Sequence, residues 1–204
     1  MSKGCILIVD DDRLVLGTLS EGLRSAGYEV LGAGSGEEAL MLVAQRTPDM
    51  ALLDIRMEGI SGIELGHILL QRFAVPFLFL SAFGDEEIVK EAADHGALGF
   101  LVKPLQVSQI VPAIEAARTR ASEIVELKTA RDQLTAALEG ARETSMAIGV
   151  LMERRRLNRE EAFHALRRSS RSQRRKIQVV AAELLDALEK LNLAGGSRER
   201  DEQA

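Results

Sequence analysis

Five short apolar runs, each separated from the next by an amphipathic stretch, constrain this chain more than any other feature. They fall within residues 1–120: Cys5–Val9, Glu29–Leu31, Met50–Leu53, Pro76–Leu80 and Gly99–Val102. Between them apolar residues recur at three- and four-residue steps, as in Leu14, Leu16, Leu19, Leu23 and in Ile63, Leu65, Ile68, Leu69, which is the helical period. Strands alternating with helices form βαβ units and therefore a parallel sheet. The first, third and fourth runs are almost continuously apolar, which predicts strands covered on both faces. Ala26-Gly27, Thr47-Pro48-Asp49 and Gly59-Ile60-Ser61-Gly62 supply the turns. The predicted fold class is α/β, a five-stranded parallel sheet wound on both sides by helices.

After Lys103-Pro104 the strand signals stop and the chain reads as helix. Ser108 is the expected helix start, with Pro112 near the first turn, where proline does least harm. A stripe of Ile124, Leu127, Ala130, Leu134, Ala137, Leu138 and Ala141 marks a long amphipathic helix over 108–141. Packing against its own chain and a coiled-coil seam with a second chain both satisfy that stripe. Beyond it, Ala147, Val150 and Leu151 mark one short helix, Ala162, Phe163 and Leu166 a second, and Ile177, Val180, Ala181, Leu184, Leu185 and Leu188 a third, ending near Leu191. Three such helices make a small bundle. Asn158 followed by Glu161 is a capping box for the middle one. The expected organisation is an α/β domain over 1–122, a connecting helix over 108–141, a bundle over 142–192 and a disordered tail over 193–204.

Composition and charge exclude several function classes. At 204 residues with 46% apolar and 28% charged side chains, the chain can bury a globular core. The longest uncharged apolar stretch, Phe73 to Gly84, is far short of the ~20 residues of a membrane span. The amino terminus shows no signal peptide, so a cytoplasmic location without membrane attachment is expected. The single cysteine, Cys5, sits inside an apolar run and reads as a buried structural thiol. Residues 1–120 hold 17 Asp/Glu against 10 Lys/Arg, a net of −7, whereas residues 121–204 hold 14 against 16, a net of +2. Arg154 to Lys176 alone carries ten Lys/Arg and only Glu160 and Glu161, a local net of +8, which is a candidate polyanion surface.

In a doubly wound sheet, ligands bind beyond the carboxyl ends of the strands. Asp10 and Asp11 follow the first strand, Asp54 ends the third, and Ser81 and Lys103 end the fourth and fifth. Three converging carboxylates repel one another and require a compensating cation. Oxygen ligands without His or Cys point to Mg²⁺. A carboxylate beside Mg²⁺ can attack phosphorus while metal and lysine absorb charge on the transferring oxygens. Ser81 can then hydrogen-bond a phosphoryl oxygen and Lys103 can pair with it. Asp12, one step beyond the pair, reads as the cap of the first helix.

Val9-Asp10-Asp11, Leu52-Leu53-Asp54-Ile55-Arg56-Met57, Leu80-Ser81-Ala82 and Phe100-Leu101-Val102-Lys103-Pro104 resemble the receiver domain of two-component response regulators, with its flavodoxin-like fold. By that resemblance Asp54 is the phosphoacceptor, Asp11 a direct Mg²⁺ ligand and Asp10 a ligand through water, and the Arg56 carbonyl completes the protein's share. The resemblance also makes Ser81 and Phe100 a switch pair and implies a partner sensor histidine kinase. Glu58 stands where that family usually has proline.

A helix that reads the DNA major groove needs amide or guanidinium side chains along one face. The last predicted helix has almost none. Its cations, Arg171, Arg174, Arg175 and Lys176, cluster at and before its start, and Arg154, Arg155, Arg156, Arg167 and Arg168 lie at the ends of the preceding helices. That pattern suits a phosphate backbone or a splayed loop. The segments 147–154, 157–163, 166–170 and 177–181 resemble the ANTAR domain, the three-helix RNA-binding module of transcription antiterminators of the nitrate-assimilation and amidase type. The resemblance implies binding of hairpin RNA in a leader transcript, so that a terminator does not form, with phosphorylation favouring an active, dimeric form. It further implies that the chain is not an enzyme beyond its own phosphorylation and dephosphorylation. The alternative reading is a phosphorylation-independent adaptor, whose coiled segment binds a regulator protein.

Overall fold

The computed structural model describes residues 2–82 and 96–196, with side chains described as far as Lys190. The chain divides into two compact units, Met1–Glu126 and Leu127–Ala204. The first holds β1 (Cys5–Val9), α1 (Arg13–Ser25), β2 (Glu29–Ala33), α2 (Gly36–Gln45), β3 (Met50–Asp54), α3 (Gly62–Phe73), β4 (Phe77–Ser81) and β5 (Phe100–Val102). All strands pair in parallel, in the order β2-β1-β3-β4-β5. This is the flavodoxin-like arrangement.

The period of two along each strand sorts side chains onto two cores. Leu7, Val9, Ala51, Leu53, Phe77 and Phe79 face α2 and α3, packing on Ala39, Val43, Leu65 and Leu69. The alternate residues Ile6, Ile8, Met50, Leu52, Leu78 and Leu80 face α1 and the start of the helix that follows β5, packing on Leu19, Leu23, Ile110 and Ile114. Every residue of β1, β3 and β4 is buried, as their continuous apolar runs predict. β2 and β5 form the edges and remain partly exposed. Cys5 is buried, and burial pushes its thiol upward in pKa.

Asp12 caps α1 as expected, accepting from the Leu14 and Val15 N–H groups. Leu14, counted in that helix's apolar set, is instead 78% exposed: it occupies the first turn, on the side away from the sheet-facing Leu19 and Leu23.

The helical part departs from the expected boundaries. One continuous helix, α4, runs from Val107 to Arg155 over 49 residues, so the connecting helix and the first bundle helix are one element. No glycine or proline lies between Ala141 and Met146, and the Thr144 hydroxyl is absorbed by the Gly140 carbonyl at 2.7 Å. Among the described residues of the stripe on α4, Ile124, Leu127, Leu134 and Leu138 are all exposed, Leu127 by 71%.

In the second unit, α5 (Arg159–Ser172) and α6 (Ile177–Gly196) complete a bundle with the end of α4. Its core is Ala147, Ile148, Leu151, Ala162, Leu166, Val180 and Ala181. The capping box at Asn158 and Glu161 is present in both directions. Phe163, read from sequence as a core residue, lies outside that cluster and is 38% exposed. α6 continues to Gly196, past the expected end at Leu191, so residues 193–196 of the expected disordered tail are helical. Residues 197–204 lie outside the described residues. No helix among the described residues is long and apolar enough to cross a membrane.

Candidate functional site

The carboxyl edge of the sheet gathers the predicted acidic residues. β1 delivers Asp10 and Asp11, and β3 ends on Asp54; one oxygen from each lies within 4.8 Å of the others. Asp10 is fully buried, Asp54 nearly so, and Asp11 is open to solvent. Lys103, which follows β5, places Nζ 2.7 Å from Asp10 Oδ2 and 3.1 Å from Asp54 Oδ1. Its backbone N–H donates to the Ser81 carbonyl at 2.8 Å, so sheet pairing aligns β4, Ser81 and the lysine. The Asp12 N–H donates to Asp10 Oδ1 at 3.0 Å, orienting the buried carboxylate.

Burial raises the Asp54 carboxyl above the usual carboxylate range, and the charges of Asp10 and Asp11 push the same way, against the opposing Lys103. For Lys103, burial favours the neutral amine, yet the hydrogen bond to Asp10 and the charges of both carboxylates hold it above the ordinary lysine value. Within this cluster of described residues, three carboxylates stand against the one ammonium of Lys103, a difference of two negative charges. A hard dication matches that deficit in charge, and the donor set, oxygen alone, matches it in chemistry.

A contributor that sequence reading treated only as a turn residue is Gly62. A Cβ there would sit 1.9 Å from the Asp54 carbonyl oxygen. The absence of a side chain lets α3 start directly beneath the end of β3, and the Gly-Ile-Ser-Gly turn was its signal. Ser81 is buried at the end of β4. Phe100, on the edge strand β5, is 49% exposed, so the two residues of the expected switch pair differ sharply in environment. Arg56 lies in the segment after β3 and is exposed. Phe83, two residues beyond Ser81, lies outside the described residues.

The cations between Arg154 and Lys176 are all exposed. Arg154 and Arg155 form the last turn of α4, Arg167, Arg168 and Arg171 belong to α5, and Arg174, Arg175 and Lys176 lead into α6. Arg156 and Arg174 have φ of 52° and 53°, the left-handed conformation that closes a helix. Arg175 pairs with Glu183 at 2.7 Å, which raises the arginine and lowers the glutamate in pKa. Among the described residues it is the one member of the predicted cluster in an ion pair. The outward face of α6 carries Glu183, Asp186 and Glu189, which a DNA major groove would repel.

The family model described as "Response regulator receiver domain" matches residues 6–115, and that described as "ANTAR domain" matches residues 132–185. The chain thus belongs to the response regulators that join a receiver domain to an ANTAR domain. It is 33% identical over 184 residues to the transcriptional regulatory protein PdtaR of Mycobacterium tuberculosis, covering 90% of each chain. Among solved structures it resembles the receiver domain of NtrX from Brucella abortus, with 28% identity, a TM-score of 0.53 and coverage of 56% of this chain and 98% of that one. The chemotaxis protein CheY4 of Vibrio cholerae is similar to the same degree, at 28% identity and a TM-score of 0.54, covering 57% and 98%.

Proposed function

We propose that this response regulator accepts a phosphoryl group on Asp54 from a sensor histidine kinase and answers with RNA binding that prevents transcription termination. The observation that carries the chemistry is the placement of Asp54 at the end of β3, beside Asp10 and Asp11 and 3.1 Å from Lys103. An Asp54 oxygen attacks phosphorus, the phosphorus–nitrogen bond of the donor histidine breaks, and the imidazole leaves. Asp10, Asp11 and Asp54, with the Arg56 carbonyl, would hold Mg²⁺. When bound, that ion supplies charge neutralisation for the carboxylates and the phosphoryl oxygens. Lys103 turns from Asp54 to the new phosphoryl group, and Ser81 donates to one of its oxygens. Phe100, half exposed on β5, is the partner that moves with Ser81.

The output rests on the ANTAR match, the free cations of the second unit and the acidic outward face of α6. Hairpin RNA in a leader transcript suits cations clustered at helix ends. The exposed α4 residues Ile124, Leu127, Leu134 and Leu138 support pairing with a second copy on phosphorylation, and the protein acts in the cytoplasm without a membrane partner. Beyond handling its own phosphoryl group the chain catalyses no reaction.

The test is phosphorylation by a small acyl phosphate with Mg²⁺, read by intact mass. One phosphoryl group is expected on the parent. Asp54→Asn should abolish it, since the amide is a poor nucleophile, and Asp11→Ala should suppress it by removing a metal ligand. Unchanged phosphorylation of Asp54→Asn would overturn the assignment.

A further inference from the structure

Phe163 is the only aromatic residue after position 100, and the fold leaves it outside the core of its own unit. It lines a groove of about 640 Å³ with Ala141, Ser145 and Ile148 of α4, Arg159 and Glu160 of α5, and Ile177 and Gln178 of α6. The floor is apolar, through Ala141, Ile148 and Ile177. In the walls, one guanidinium and one carboxylate offset each other, so the groove itself favours a neutral occupant. The Ser145 hydroxyl and the Gln178 amide make no hydrogen bond with other described residues and are free to serve such an occupant. Gly140 leaves room for Gln178 beside α4: a Cβ there would lie 2.7 Å from its Cγ.

The surroundings carry the opposite chemistry. Arg167 and Arg171 follow Phe163 at four-residue steps on α5, and Arg174 and Lys176 lie three residues and one residue before Ile177. None of the four has an ion-pair partner among the described residues. A flat, neutral, hydrogen-bonding group in the groove, joined to negative charges running past the rim, is the description of a nucleotide. An acidic peptide would bring its charge into the groove, where Arg159 and Glu160 together offer it no net attraction, and a duplex keeps its bases stacked.

We infer that the Phe163 groove receives one unstacked nucleobase from an RNA loop, stacked on the phenyl ring, while the flanking arginines and Lys176 hold phosphates. This deepens the RNA-binding reading and rests on it. Phosphate contacts supply affinity without sequence information, so this groove is where the bundle distinguishes a loop from a stem. Base–aromatic stacking contributes about 5- to 150-fold in affinity per base, and no salt dependence of its own.

The test uses the full chain, phosphorylated beforehand by a small acyl phosphate with Mg²⁺, and a hairpin RNA that it enriches from a pool with randomised loops. Loop positions are then made abasic one at a time. The parent should lose about tenfold or more at one loop position. Phe163→Ala should lose a similar factor on the intact loop, become indifferent to the abasic change at that position, and keep the parent's slope of log affinity on log salt. Phe163→Leu, which preserves apolar bulk, should lose affinity while retaining the parent's thermal midpoint, and Phe163→Trp should restore binding. If Phe163→Ala binds as the parent does, or if its loss and the abasic loss multiply at every position, the groove inference is overturned while RNA binding stands. If no hairpin is enriched by the parent, the RNA reading falls and this inference falls with it.

Discussion

Replacing Arg156 and Arg174 by glycine should make the bundle more stable and its RNA binding weaker. Both residues close a helix in the left-handed conformation, at φ 52° and 53°. The Arg175 N–H returns to the Ser170 carbonyl at 3.0 Å and the Arg174 N–H to Arg171 at 3.2 Å; the Leu157 N–H returns to Met152 at 3.2 Å. These are the closing bonds of Schellman turns, whose left-handed position is usually glycine. A side chain there costs roughly 1–2 kcal/mol, and glycine's extra freedom in the unfolded chain returns roughly 0.4–1 kcal/mol of that. The net gain is therefore about 0.5–1 kcal/mol per site. The turns share no hydrogen bond, so the gains should add to about 1–2 kcal/mol.

In a unit the size of residues 127–204, each kcal/mol moves the thermal midpoint by about 4–8 °C. The double variant should then melt at least about 4 °C higher by circular dichroism. Its RNA affinity should fall, with the salt slope flattened by about one for each lost phosphate contact. A lower midpoint would refute the backbone argument. A higher midpoint with unchanged affinity and slope would show that neither arginine touches RNA. Opposite signs would explain why arginine occupies a glycine position twice in one small bundle.

Tyr28, the only tyrosine in a chain without tryptophan, is held up to about 12 by burial and by its hydrogen bond to Glu115. Its contribution to stability should be complete below pH ~10 and lost as pH rises toward ~12. Phenolate absorbance at a midpoint near 10, with helicity intact, would contradict this. By the receiver resemblance the residues two beyond Asp54 and Ser81 flank the path of the hydrolytic water; here they are Arg56 and Phe83, which offer neither carboxylate nor amide to orient it, so the phosphorylated state should be long-lived. Phe83→Glu should shorten that lifetime, by as much as about a hundredfold, and an unchanged rate of phosphate loss would count against the reading.

Much of the receiver was legible because its strands are buried on both faces. Unbroken runs such as Cys5–Val9 and Pro76–Leu80, only five residues long, are too short for buried helices, and the acidic residues follow Cys5–Val9 and Met50–Leu53, at carboxyl ends that parallel topology brings together. The bundle was less legible. Its helices were readable from their spacing, yet the break expected after Ala141 is absent, because helix ends depend on what the last turn packs against as much as on the residues there. Arg175 was counted with the free cations, and only the turn into α6 sets it opposite Glu183, eight residues away.

The alternation of runs, the order of strands and helices, the carboxylates at strand ends and the cations at helix ends were determined by the sequence alone, since each follows from local periodicity or from a rule of parallel sheets. Tertiary structure decided the rest. The 3.1 Å approach of Lys103 to Asp54 depends on the register of β4 with β5. Phe163 is exposed because α5 turns Ala162 and Leu166 inward and leaves the ring at the edge of the buried face. A helix repeats every 3.6 residues, so a residue at that margin is core or surface according to how its neighbours pack, and no local pattern contains that information.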